Sequence, residues 1–249
     1  MTDELVQLGS LLETSGQIAL DERARMNVEL KPDQSLVTNA DKAVERYLRG
    51  ELVKLAPGST VWGEEEGFEP EGTGGLWLVD PIDGTSNYRF GQPLWGISIG
   101  LYRNGVLELG GILLPDLGET YLAARGRGAT LNGRKLPQLL PGPIKASELV
   151  NVETDILAKY GRALPGKARI SGAAVIGGTF VASGRFRGLI AEGEHLYDVA
   201  ASVVINREVG ADVRYANGAA FDESLLAKPV AIEPAWIVFP RDSGFFLAS

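Results

Sequence analysis

The stretch LWLVDPIDGTSNY, residues 76–88, carries two carboxylates three positions apart, Asp80 and Asp83. A run of mostly apolar residues leads into Asp80, and Pro81 turns the chain between the two acids, so both can face one locus. At ~4 Å two unit charges repel by about 4 kcal/mol at an effective dielectric of 20. An oxygen-loving divalent ion converts that repulsion into binding. The chain contains no cysteine and a single histidine, His195, so its ligand inventory is carboxylates and carbonyls, which suits Mg²⁺ or Mn²⁺ far better than zinc or copper. Gly84 allows a close backbone approach, and the amides of Gly84 and Thr85 are placed to meet a phosphate oxygen. Metal and amides together indicate phosphoryl chemistry.

Three further acids stand at the edges of apolar segments. Asp41 opens a helix, Glu64 follows Gly63 in VWGEEEG, and Asp198 lies in the first turn of a helix that starts near Leu196. Each also has a purely structural reading. Thr38 and Asp41 have capping-box spacing, with Asp in place of Glu or Gln. Glu64–Glu66 reads as a solvated charge run. Asp198 is favourable near a helix N-terminus through the dipole alone, and Asp83-Gly84 is a common turn pair. His195 reads as a satisfied polar residue, and Trp95 as a core aromatic or a pocket wall. The pair at 80 and 83 tips the balance toward a metal site.

The elements that must position these acids follow from apolar periodicity. Leu5, Leu8, Leu11, Leu12 and Ile18 recur near 3.6 residues and predict a helix over 4–20. Val44, Tyr47, Leu48, Leu52 and Leu55 predict another over 39–55, ended by Pro57. KPDQSLVT between them reads as a loop or short strand. Strands are expected at 76–80, about 94–103, about 106–114 and about 119–124. Turns such as Asn104-Gly105 and Asn132-Gly133 give an antiparallel meander. The second half predicts a helix over 172–183, a strand over 185–191 and a helix over 196–209 with a stripe of Leu196, Val199, Ala200, Val203 and Val204. Grouped helices and a meander, without strict βαβ alternation, indicate layered α+β.

At 249 residues the chain forms one large domain or two small ones, and a globule of this size removes roughly 70–75% of its unfolded surface from water without staples. The absence of cysteine excludes disulfides and thiolate metal sites. The N-terminus carries Asp3 and Glu4 where a signal peptide wants basic residues, and no run approaches the ~20 apolar residues of a span. The expectation is a cytoplasmic protein with no membrane partner. A net charge of −8 argues against nucleic acid. It also repels an anionic substrate unless bound cations reverse the local field. No G-x-S-x-G accompanies His195, which leaves no support for a serine triad.

WLVDPIDGTSNY resembles the signature of the inositol monophosphatase family of Mg²⁺-dependent, often lithium-sensitive phosphatases. Other segments resemble that family in the same order: SLVTNADKAVE at 35–45, GEEEG at 63–67, RGRGATLNGRKL at 125–136, RISGAAVIGGTFVASGRFRG at 169–188 and LYDVAASVVINREVG at 196–210. The resemblance spans roughly residues 30 to 215. It implies an α+β fold, a layered α-β-α-β-α sandwich of the inositol monophosphatase/fructose-1,6-bisphosphatase type. One domain is expected over 1–249, with an α+β part over about 1–135 and an α/β part over about 136–249, and homodimers are common in the family.

By that resemblance Glu64, Asp80 and the carbonyl of Ile82 hold one metal ion; Asp80, Asp83 and Asp198 hold a second; and Glu64 helps a third, looser one. Thr85 orients the attacking water and Asp41 polarises Thr85. Substrate contacts are expected at Asp83, Gly84, Thr85, Ala174, Glu192 and Asp198. The implied substrate is a small polyol or sugar phosphate such as inositol 1-phosphate. Histidinol phosphate, fructose 1,6-bisphosphate and 3′-phosphoadenosine 5′-phosphate are rivals, and a partner-binding module on the same fold is the reading from another class. Departures lie in LIAEGEHLYD, where Ala191 stands at the position of a glutamate that contacts sugar hydroxyls in inositol-specific members. Tyr197 replaces the usual Trp, and the segment after about 228 departs from the family pattern.

Overall fold

The structure, a computed structural model, describes residues 3–31 and 35–246. In chain order the elements begin with helix α1 (Asp3–Arg23), strands β1 (Val28–Leu30) and β2 (Leu36–Thr38), helix α2 (Asn39–Leu55), strands β3 (Thr60–Gly63) and β4 (Leu76–Asp83) and the short helix α3 (Thr85–Arg89). A run of strands follows: β5 (Gly96–Arg103), β6 (Val106–Leu114), β7 (Glu119–Ala124), β8 (Ala129–Leu131) and β9 (Arg134–Lys135). The second half holds β10 (Leu149–Val152), α4 (Thr154–Tyr160), β11 (Lys167–Arg169), α5 (Ala174–Ala182), β12 (Gly188–Ala191), α6 (Leu196–Glu208), β13 (Ala211–Tyr215), α7 (Glu223–Leu226) and β14 (Trp236–Pro240).

β3 to β9 form a seven-stranded sheet in sequence order, and β11-β10-β12-β14-β13 form a five-stranded one. The expected meander is present from β4 onward, with antiparallel neighbours throughout. Asn104 at φ 55° and Gly105 at φ 81° make the tight turn between β5 and β6, the backbone that two-residue hairpins demand. Parallel pairs lie outside the meander: β3 with β4, and β10 with both β11 and β12.

Alternation along β4 explains the layering. Trp77 and Val79 face α1 and α2, packing with Leu8, Leu12, Val44, Leu48 and Leu52. Leu76 and Leu78 face the other way, into a core shared with Val199, Val203, Trp236 and Val238. Helices α5 and α6 thus lie between the sheets, and α4 covers the outer face of the smaller one, where Ile156 meets Val150, Val152, Ile190, Ile237 and Phe239. The result is the α-β-α-β-α order. α6 sits tight on the larger sheet: a Cβ on Gly100 would stand 2.6 Å from Ala200 Cβ, and one on Gly110 2.6 Å from Ala201 O. That contact fixes where the start of α6, with Asp198, stands relative to β4.

Candidate active site

Carboxyl ends of parallel strands are where open α/β sheets gather ligands, and here both sheets contribute such ends. Glu64 follows β3, Asp80 and Asp83 end β4, Glu153 follows β10 and Glu194 lies just past β12. These acids and Asp198, in the first turn of α6, line one open cleft of about 250 Å³ together with Ile82, Gly84, Thr85 and Ala174. No Lys, Arg or His is among the lining residues. Glu64 and Asp198, drawn from distant parts of the chain, stand in the same cleft as Asp80. A cleft of about 390 Å³ elsewhere is larger; it is the acids, not the volume, that mark this one.

A regular strand would put residues three apart on opposite faces. β4 avoids this with a bulge: Asp80 pairs with Ser98 and Asp83 with Gly96, so one extra residue is accommodated at Pro81-Ile82. Asp80 is 2% exposed and one of its oxygens accepts the Ile82 amide at 3.1 Å. Asp83 accepts the Val175 amide from the first turn of α5, and Asp198 accepts the His195 amide at 2.7 Å. Burial raises the pKa of all three above the ordinary carboxylate value, Asp83 to about 8, and their neighbouring acids raise them further.

These residues fit a hard divalent ion. The donors are all oxygen, from Glu64, Asp80, Asp83, Asp198 and the Ile82 carbonyl, and three of the acids are desolvated without a cationic side chain lining the cleft. Among the described residues no three acidic or histidine side chains are already drawn into a closed metal cage. The reason is visible at Glu64, whose carboxylate is turned to Lys31 at 2.8 Å; Lys31 also holds Glu65 at 2.6 Å. Mg²⁺ does not require a closed protein cage, since it takes one or two carboxylates and keeps several waters.

Thr85 stands at the start of α3. Its hydroxyl lies 3.1 Å from the Ile82 carbonyl, to which it donates, and 3.5 Å from Asp41 Oδ1. Asp41 Oδ2 accepts from the Thr38 amide at 2.9 Å and the Thr38 hydroxyl at 2.5 Å. Burial pushes Asp41 up to about 6, against the lowering effect of the Thr38 bonds. Gly84 has φ 85°, and a Cβ there would stand 2.9 Å from that of Ala173. The turn therefore demands glycine on conformation and space alike.

The structure brings Glu64, Asp80, Ile82, Asp83, Gly84, Thr85, Ala174 and Asp198 to the cleft, with Asp41 behind Thr85. It does not bring Glu192 there. That carboxylate is held by Lys159 at 3.2 Å, and Glu194 lines the cleft instead. Gly193 between them, at φ 94°, reverses the chain and breaks the strand parity that would place both on one side. Sequence reasoning also missed Glu153, which belongs to no motif; the signal available was its place directly after an apolar strand. Trp95 is fully buried and donates to Asp116 at 2.7 Å, so it is a core residue and not a cleft wall. His195 stacks on Tyr197 with ring centroids 5.2 Å apart.

The profile of the inositol monophosphatase family matches residues 3–240. The chain belongs to the inositol monophosphatase family. Membership makes it a phosphoric monoester hydrolase, and the five-layer α+β fold is that of its family. A histidinol-phosphatase of Chlorobaculum parvum is 36% identical over 159 residues, which is 63% of this chain and 61% of that protein. An inositol-1-monophosphatase of Mesorhizobium japonicum is 34% identical over 211 residues, 78% of this chain and 77% of that one. Among solved structures, an IMPase of Thermotoga maritima superposes with a TM-score of 0.85 at 27% identity, covering 96% of this chain and 92% of that one. An IMPase/NADP phosphatase complexed with Mg²⁺ and phosphate superposes with a TM-score of 0.78 at 22% identity over 94% of this chain and 88% of that one. Among the described residues no helix is long and apolar enough to cross a membrane.

Proposed function

We propose that this chain is a Mg²⁺-dependent phosphomonoesterase of a small phosphorylated alcohol, working in the acidic cleft. One observation carries the reading: Glu64, Asp80, Asp83 and Asp198 converge from β3, β4 and α6 on one cleft with no cationic side chain in its lining, and only Glu64 is paired with a lysine, Lys31. Glu64, Asp80 and the Ile82 carbonyl would hold one ion, and Asp80, Asp83 and Asp198 a second, with Glu64 helping to hold a third; Mn²⁺ suits the same oxygen ligands. When bound, such ions supply charge neutralisation for the phosphate and lower the pKa of water.

The chain's own residues do the rest. Asp41, buried behind Thr85, is the acceptor to which the Thr85 hydroxyl would turn its hydrogen bond from the Ile82 carbonyl, leaving the Thr85 oxygen to orient the attacking water. Gly84 and Thr85 would present backbone amides to the phosphate from a left-handed turn that only glycine makes without meeting Ala173. Ala174, in the first turn of the nine-residue helix α5, adds the positive end of a helix dipole to the same side. The relatives named for inositol 1-phosphate and histidinol phosphate bracket the substrate: a small alcohol whose phosphate end is read by the metal acids. A single-domain homodimer in the cytoplasm completes the reading, supported by the family resemblance. Phosphate release from a panel of phosphomonoesters, with and without Mg²⁺, tests it. Turnover that persists at full rate in chelator would overturn it.

A further inference from the structure

Glu153 and Glu194 line the cleft but belong to neither ion's ligand set. They sit past the carboxyl ends of β10 and β12, which are parallel hydrogen-bonded neighbours, so the two acids emerge side by side. Oε1 of each is buried with no hydrogen-bond partner among the described residues. Glu194 is not free to turn away: its Oε2 accepts the Trp236 indole at 3.1 Å, and its carbonyl accepts the Ile232 amide at 2.7 Å. The nearby Lys159 is committed to Glu192. Buried carboxylate oxygens without donors are expensive, and a structure keeps them only where something else supplies the protons.

We propose that Glu153 and Glu194 form a receptor for an ammonium group on the alcohol half of the substrate, which makes this phosphatase prefer esters of amino alcohols to esters of neutral polyols. This rests on the phosphatase reading above. An ammonium offers three donors and a full positive charge, so it satisfies both orphaned oxygens and offsets both carboxylates. A sugar or inositol hydroxyl satisfies an acceptor but leaves two acids uncompensated in a cleft that already holds four others. Burial raises both pKa values, Glu153 to about 7 with repulsion from Glu194 added, and Glu194 with repulsion from Glu192 added, an electrostatic cost that a bound cation offsets.

The test is a matched pair of esters, 2-aminoethyl phosphate and propyl phosphate, together with histidinol phosphate and inositol 1-phosphate, all at saturating Mg²⁺. The wild-type kcat/KM for 2-aminoethyl phosphate is expected to exceed that for propyl phosphate by roughly ten- to hundredfold, the range of a hydrogen-bonded charge pair. Histidinol phosphate is expected to exceed inositol 1-phosphate in the same direction. In Glu153→Gln and Glu194→Gln the amine-to-neutral ratio falls toward one. A wild-type ratio at or below one, or a ratio that the substitutions leave unchanged, overturns the receptor while leaving the phosphatase standing. Absence of phosphate release from every ester overturns both.

Discussion

Asp41 divides its two oxygens between two tasks: Oδ2 closes the capping box with Thr38, and Oδ1 faces the Thr85 hydroxyl at 3.5 Å. The capping reading is met by one oxygen, and the other is placed for the proposed role at Thr85. Thr85→Ala is expected to lower kcat by about 10²- to 10⁴-fold with KM changed little, because the lost hydroxyl acts on the water and not on substrate binding. Steady-state kinetics decide it; a rise in KM alone would remove Thr85 from that role.

The same division separates stability from catalysis. Thr38→Ala removes the cap and is expected to cost about 1 kcal/mol of stability while keeping turnover within a few-fold. Asp41→Asn is expected to cost a similar amount and to lower turnover by roughly ten- to hundredfold, since an amide is a poor proton acceptor for Thr85. Paired denaturant melts and kinetics would show the two variants alike in the first and apart in the second. If both lost activity equally, the Oδ1 contact would have no catalytic meaning.

Asp83→Asn is expected to keep the fold and to lower turnover by orders of magnitude. The amide oxygen can still accept from Val175, so the link to α5 survives, whereas a charged ligand is gone. Removing one of several mutually repelling buried acids should also raise the melting temperature of the metal-free protein by roughly 2–4 °C. A variant with full activity at saturating Mg²⁺ would exclude Asp83 from metal binding; one that melts lower without metal would show that repulsion is not what strains the cleft.

Much of this was legible in the sequence where local chemistry decides. Thr38 and Pro57 bracket α2, and the expected bounds 39–55 match; β6 and β7 also match, because Asn-Gly and Pro-Asp turns punctuate them. β4 runs on to Asp83, past the expected end at 80, since a bulge lets pairing continue through Pro81. The strand expected at 185–191 begins only at Gly188: Gly184 at φ 74° and the Phe186 amide bonded to Phe180 O hold a turn there. KPDQSLVT falls in part on residues 32–34, outside the described ones, and its end forms β2. The parallel pairing of β10 with β12, which brings Glu153 beside Glu194, was not legible, because it links segments across helices α4 and α5 and strand β11. The same holds for the Lys31–Glu64 pair, which joins residues 33 positions apart.

Gly63 before the acidic run has a steric explanation that yields a further test. A Cβ there would stand 2.1 Å from Glu45 Oε1. Glu45 is fully buried and holds the loop that carries Glu64, accepting the Glu65 amide at 2.8 Å and the Glu66 amide at 2.9 Å. Gly63→Ala must displace that carboxylate or the loop, at a cost of about 1–3 kcal/mol. The Mg²⁺ concentration for half-maximal activity is expected to rise about tenfold, with a smaller change at saturation. Magnesium titration of activity alongside a thermal melt measures both; unchanged magnesium dependence with lowered stability would show that Glu64 is positioned independently of Glu45.

The raised carboxylates also fix how stability depends on pH. Asp41 and Asp83 titrate from an ordinary value of 3.8 in the unfolded chain to about 6 and about 8 in the fold, and Asp80 and Asp198 shift the same way. Between those limits the folded state binds more protons than the unfolded one, so stability falls as pH rises. In the metal-free protein this contribution is fully present below 3.8, declines through the range up to about 8 and is absent above it. A divalent ion binds the deprotonated acids, so its stabilising effect should grow over the same range. Melting temperatures at pH 5.5 and 8 are therefore expected to fall with pH in chelator and to fall less, or rise, in excess Mg²⁺. Parallel pH profiles with and without the ion would mean that these acids do not hold it.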